Sequence, residues 1–77
     1  MRNRRADGAK LRSIRVRRQL RQKDLAEKAN VRADTLSNIE AGRWQPSDLL
    51  AYRLAQALDC DVDDFVEAPS AAKPDAA

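Results

Sequence analysis

Histidine is absent from the 77 residues, and cysteine, methionine, tryptophan, tyrosine and phenylalanine occur once each. Without an imidazole there is no Ser-His-Asp or Cys-His relay and no His-ligated zinc. The lone thiol, Cys60, has no partner for an intramolecular disulfide or a Cys-pair metal site. Two glycines and three prolines offer too little turn chemistry for a succession of hairpins. No apolar run approaches the roughly 18 residues of a membrane span. The opening Met1-Arg2-Asn3-Arg4-Arg5 lacks the apolar stretch of a secretion signal. These absences predict a non-enzymatic module of a reducing, cytoplasmic compartment, with no metal, cofactor, small-molecule ligand or membrane partner.

Hydrophobic residues make up 43% of the chain, but 14 of them are Ala, and the large core formers are chiefly eight Leu, four Val and two Ile. Such a composition supports helices. One small domain is the most that this length allows, and its core must be economical. Charge is divided unevenly. Residues 1–23 carry ten basic side chains and one acid, a net of +9, whereas residues 24–77 carry a net of −6. The asymmetry points to a polyanion-facing end or, equally, to a solvated basic surface.

Residues 1–7 read as a flexible basic arm, residues 8–67 as the folded domain and residues 68–77 as a disordered tail. Asp7-Gly8 can open a helix with Leu11 and Ile14 on its inner stripe. A second helix is expected over Gln22–Ala29 with Leu25, Ala26 and Ala29 inward, ended by Asn30, which tolerates the left-handed conformation. The third runs from about Ala33 to Ala41 with Leu36 and Ile39 inward, and Gly42 suits its end. Ser47 caps a fourth, Asp48–Leu58. Asp61 caps a short fifth, Val62 to about Glu67, anchored by Phe65. The expected fold is all-α, with five short helices in a compact domain. Periodicity leaves the second and third helices open between a helix-turn-helix and an ordinary αα corner.

The residues add more. Gln22-Lys23-Asp24-Leu25-Ala26-Glu27-Lys28-Ala29-Asn30-Val31, then Leu36, Ile39-Glu40-Ala41-Gly42, Pro46 and Leu54-Ala55-Gln56-Ala57-Leu58 resemble the phage-repressor/Cro-type (XRE-like) helix-turn-helix family over roughly residues 10–66. The resemblance implies a lambda-repressor-like domain that binds a double-stranded DNA operator as a small transcriptional repressor or regulator, with the third helix in the major groove. It implies that Arg32, Ala33, Asp34, Thr35 and Asn38 face base edges. Gln22, Lys23, Arg43, Trp44 and Gln45 would lie along the phosphate backbone, helped by Arg2, Arg4 and Arg5 of the arm. Arg15 and Glu40 match a family pair that ties the first helix to the end of the third, a task suited to an Arg fork on a carboxylate. Family members commonly pair through their last helices, where Val62, Phe65 and Val66 are the apolar residues available to a homodimer.

The chain also departs from the family pattern. Arg21 and Arg32 replace small hydroxyl caps, and Gln19 and Asn30 stand where Gly is frequent. Asp59-Cys60-Asp61-Val62-Asp63-Asp64 resembles the start of a calcium loop but has Asp64 and Ser70 where its glycine and glutamate belong, so no metal is expected. A lone Cys60 fits a small core residue better than a redox switch. Two rival functions stand beside the regulator: an antitoxin or controller of a neighbouring operon, and a protein-interaction module that kept the helical fold.

Overall fold

Asp7 fixes where the first helix begins. Its backbone is extended, and its carboxylate accepts from Ala9 N at 3.0 Å and Lys10 N at 3.2 Å. Two of the four amides that lack a partner at a helix start are thereby satisfied. The computed structural model describes residues 5–67, with α1 (Gly8–Arg17), α2 (Gln22–Ala29), α3 (Ala33–Glu40) and α4 (Asp48–Leu58). Ser47 caps α4 by accepting from Leu50 N at 3.1 Å. At the start of α2, Arg21 has no side-chain acceptor to offer, and the Asp24 carboxylate instead accepts from Arg21 N at 3.1 Å. That bond to the backbone holds the Asp24 carboxyl below its ordinary range. Arg32 leaves α3 without a side-chain cap.

All four helices end in one way. After each, a left-handed residue lets the next amide double back five residues: Leu20 N to Arg15 O, Val31 N to Ala26 O, Arg43 N to Asn38 O and Cys60 N to Ala55 O. This is the Schellman closure. Gly42 supplies the left-handed residue after α3, at φ 80°, but Gln19, Asn30 and Asp59 supply it elsewhere at φ 61°, 59° and 59°.

Two expectations are corrected. The fifth helix is absent: Val62–Asp64 forms a single 3-10 turn, and Val66–Glu67 (β2) pairs antiparallel with Arg5–Ala6 (β1), Arg5 opposite Glu67 and Ala6 opposite Val66. Among the described residues the fold is therefore four helices with a two-stranded ribbon. Three residues do not nucleate an α-helix. Phe65, at φ −136°, turns inward instead and is fully excluded from solvent, while its carbonyl accepts from Asp7 N at 2.7 Å. The arm also starts its order earlier than expected, since Arg5 and Ala6 are strand and Asp7 is a cap. Residues 1–4 and the expected tail, 68–77, lie outside the described residues.

Leu11, Leu25, Leu36, Leu54 and Phe65 are fully buried, joined by Ile14, Ile39, Leu58 and the small faces of Ala26, Ala29, Ala51 and Ala55. Each large side chain buried here contributes on the order of 1.5–3 kcal/mol. α2 packs on both α3 and α4, and α1 packs on α3. The approach of α1 to α3 is close enough that a Cβ on Gly8 would run into the carbonyl oxygens of Ile39 and Glu40. Glycine at this position seats the first turn of α1 on the last turn of α3.

Candidate nucleic-acid interface

Leu36 and Ile39 turn one side of α3 into the core and so present its other side to solvent. Arg32, Ala33, Asp34 and Asn38 are exposed there, and Thr35 is half-buried. All five expected base-facing residues thus occupy the outer edge of one short helix and its start. They bring two donors of different shape, a hydroxyl, a methyl and a carboxylate. Arg32 forms no ion pair among the described residues.

This helix is held at its far end. Arg15 donates from Nε to Glu40 Oε2 at 2.7 Å and from Nη2 to Glu40 Oε1 at 3.1 Å, a two-pronged contact whose side chains are 10% and 3% exposed. Arg15 Nη1 also donates to Leu20 O at 2.8 Å. Gln22 Nε2 donates to Glu40 Oε1 at 3.0 Å. One carboxylate at the end of α3 therefore ties together α1 and the start of α2. The pair Arg15–Glu40 stands as the sequence predicts. Gln22 has a part in it that the sequence does not announce: one of its two amide N–H donors is taken by Glu40, which leaves the other for a phosphate. What remains exposed at the start of α2 is Lys23 and the amides of the first turn, which have no partner within the helix.

The loop after α3 divides by role. Arg43 and Trp44 are exposed, and Arg43 Nε donates to Asn38 Oδ1 at 3.2 Å, which steadies the Asn38 amide beside the outer edge of α3. Gln45 turns the other way. Its Oε1 accepts from Ala6 N at 2.7 Å and its Nε2 donates to Ala6 O at 3.3 Å, so it staples β1. Arg5 lies in that strand, and Arg2 and Arg4 lie outside the described residues. Of the dimer candidates, Phe65 and Val66 are core residues with 0% and 7% exposure, and only half-buried Val62 retains surface. Both turn inward because the last segment closes the core as a strand.

Arg18, unmarked in the sequence, donates from Nε to Leu58 O at 2.8 Å and from Nη2 to Asp59 O at 3.2 Å, placing a cation on the negative end of α4. The acidic segment makes a cap: Asp64 Oδ2 accepts from Asp61 N at 3.0 Å. Among the described residues no cluster of His, Cys, Asp or Glu could hold a metal, and no helix is long and apolar enough to cross a membrane. Burial and then the nearby Asp64 charge push the Cys60 thiol above its ordinary pKa, the opposite of what a reactive thiolate needs.

Comparison with known proteins places the chain by family and fold. The sequence model of the helix-turn-helix family matches residues 11–65. A protein of Archaeoglobus fulgidus, described as an uncharacterised HTH-type transcriptional regulator, is 33% identical over 56 residues, covering 73% of this chain and 80% of its own. One of Methanocaldococcus jannaschii, described likewise, is 36% identical over 56 residues, covering 73% and 85%. Among solved structures, the restriction-modification controller protein C.AhdI of Aeromonas hydrophila superposes with a TM-score of 0.73 at 28% identity, over 74% of this chain and 86% of that one. The clp gene regulator ClgR of Corynebacterium glutamicum gives 0.72 at 37% identity, over 74% and 61%.

Proposed function

The chain belongs to the helix-turn-helix family and is a DNA-binding transcriptional regulator, and on that premise we propose how its surface reads an operator. α3 lies in a major groove about 12 Å wide, with Arg32, Ala33, Asp34, Thr35 and Asn38 toward the base edges. Arg suits guanine, Asn suits adenine, Thr and Ala touch a thymine methyl, and Asp accepts from a cytosine amino group. Gln22, Lys23, the first-turn amides of α2, Arg43 and Trp44 lie along the phosphates, where contacts position the protein without specifying sequence. Arg2 and Arg4 extend that contact from the amino-terminal arm. The protein works in the cytoplasm as a homodimer and carries out no catalysis.

One observation carries the reading. α3 offers a polar outer edge on a helix whose inner face is core and whose end is clamped by the buried contact of Glu40 with Arg15 and Gln22. A reading helix must be held firmly to discriminate bases, and these contacts support that role for α3. Selection of bound duplexes from a random pool tests the proposal, with titration against random-sequence duplex at two salt concentrations beside it. Recovery of one motif is expected; absence of binding even at low salt would favour the protein-interaction module. Its likeness to the C.AhdI controller supports, as a second reading, control of a neighbouring operon.

A further inference from the structure

The turn between α2 and α3 meets α4 across an open groove of about 740 Å³, a size within the range of small-molecule sites. Half-buried Val31 and Leu50 line it. So do Leu49 and Trp44, which stay 61% and 48% exposed. Single exposed hydrophobic residues need no explanation, but two that border one depression do. Arg32, Thr35 and Arg53 supply its polar side. Neither these three side chains nor the Trp44 indole N–H have a hydrogen-bond or ion-pair partner among the described residues.

The chemistry of these groups says what fits. Two guanidiniums and one acid, Glu27, line the groove, which leaves it a positive excess. A carboxylate answers that excess, and its contact with a guanidinium fork is among the strong hydrogen bonds. The indole face of Trp44, with Leu49 and Leu50 beside it, suits a flat apolar body. A phosphodiester chain fits poorly, since it has no apolar face for Val31 and Leu50 and would lie against Glu27. We propose that this groove binds a small aromatic carboxylic acid, its ring on Trp44 and Leu49 and its carboxylate held by Arg53 and Arg32.

The proposal deepens the regulator reading and rests on it, because Arg32 and Thr35 belong both to this groove and to the reading edge of α3. A bound acid occupies the Arg32 guanidinium and crowds Thr35, so ligand and operator compete and the acid releases the duplex. By linkage the duplex weakens the acid by the same factor. The expectation of no small-molecule ligand came from missing catalytic and metal chemistry, which this groove does not need. Its walls come from residues 26–53, brought together as α2 packs on α4. The groove is open along one side, so affinity is modest.

Titration of the full chain with phenylacetate at constant ionic strength tests it, with phenylacetamide as the uncharged counterpart. Trp44 is the one tryptophan of the chain, so its indole N–H gives a single nuclear-magnetic-resonance signal that reports the groove. Phenylacetate is expected to shift that signal saturably with a Kd on the order of 0.5–5 mM. Phenylacetamide should bind at least ~5-fold more weakly. Arg53→Gln should weaken the acid about 5-fold and Leu49→Gln about 3-fold. Both positions are exposed, and circular-dichroism melts check that each variant is folded. Saturating phenylacetate should lower the affinity of the wild type for a selected duplex at least ~5-fold. Arg53→Gln should keep its duplex affinity within ~2-fold and lose most of that response. A Trp44 signal unmoved at ~30 mM, an amide that binds as well as the acid, an Arg53→Gln with full affinity for the acid, or a duplex affinity indifferent to it would each overturn the proposal. Duplex titrated without ligand separates the two claims. A wild type that takes the acid through Arg53 but binds no duplex even at low salt defeats the regulator reading alone, and duplex binding beside an unresponsive Trp44 defeats the ligand alone.

Discussion

A carboxylate with 3% exposure must be met by donors, and Glu40 has three: Arg15 Nε, Arg15 Nη2 and Gln22 Nε2. Removing it strands the Arg15 guanidinium, 10% exposed, with only Leu20 O for company. Glu40→Ala should therefore cost ~3–5 kcal/mol, the penalty of an unpaired buried charge. In a domain of this size that is a large part of the whole stability. Glu40→Gln retains the shape and part of the hydrogen bonding and should fall between. Thermal melts of both variants within ~2 °C of wild type would sink the claim. The family pattern makes the Arg15–Glu40 pair legible from the sequence. Gln22 at Glu40, and Gln45 at both polar atoms of Ala6, are not legible, since these partners lie 18 and 39 residues apart and meet only because helices cross and ends close. The same long-range closure hides the roles of Phe65 and Val66. Their apolar character is plain in the sequence, but whether it faces a partner or the core depends on the strand that takes them inward.

At the scale of the element, starts were easier to see than ends. Asp7, Ser47 and Gly42 carry their capping chemistry in their own side chains or in the lack of one, and the structure uses all three. Gln19 carries no such signal, and Asp59 only a weak one. They are left-handed because Leu20 and Cys60, half-buried, must turn back onto the core, and the residue before each absorbs the turn. A β-carbon in that conformation costs roughly 1–2 kcal/mol, less for Asp or Asn, which bond locally. Gln19→Gly should therefore raise stability by ~0.5–1 kcal/mol and Asp59→Gly by less, the gain reduced by glycine's freedom in the unfolded chain. Denaturant midpoints check the order; a destabilised Gln19→Gly would contradict the account. α3 itself makes a second prediction. Asp34 sits in its first turn, where the helix dipole favours an acid whether or not DNA is bound. If α3 reads bases, Asp34→Ala should relax preference at one base pair, a contact worth ~1–3 kcal/mol of discrimination, and raise affinity for random duplex through lost repulsion. Single-base specificity profiles of Asp34→Ala, Thr35→Ala and Asn38→Ala, all three matching wild type at every position, would remove α3 as the reading helix.

Across the whole molecule, charge is arranged more sharply than the net +3 suggests. The basic excess lies in residues 1–23, while the acids gather from Asp48 onward, in the 3-10 turn and the cap after α4. Some of the basic excess is already spoken for: Arg15 holds Glu40 and Arg18 holds the end of α4, whereas Arg21, 3.4 Å from Asp24, stays on the surface. Cations left for a duplex are thus fewer than the composition implies, which gives the electrostatic prediction a definite size. Binding affinity should fall with salt at about −0.9 in log units per phosphate neutralised. Lys23→Ala removes one candidate contact and should flatten the slope by ~0.9, and Arg2→Ala/Arg4→Ala removes two and should flatten it by ~1.8. Both should weaken binding to every sequence alike, because phosphate contacts position without specifying. Arg18→Ala is the internal control: it loses a helix-end contact, so stability should drop while the slope of the folded protein stays put. Fluorescence titrations over a series of salt concentrations, on a selected duplex and a random one, supply all these slopes. Should Arg2→Ala/Arg4→Ala leave the slope unchanged and instead alter which sequences are preferred, the amino-terminal arginines would be reading bases in the minor groove, and the division of labour between arm and α3 would have to be redrawn.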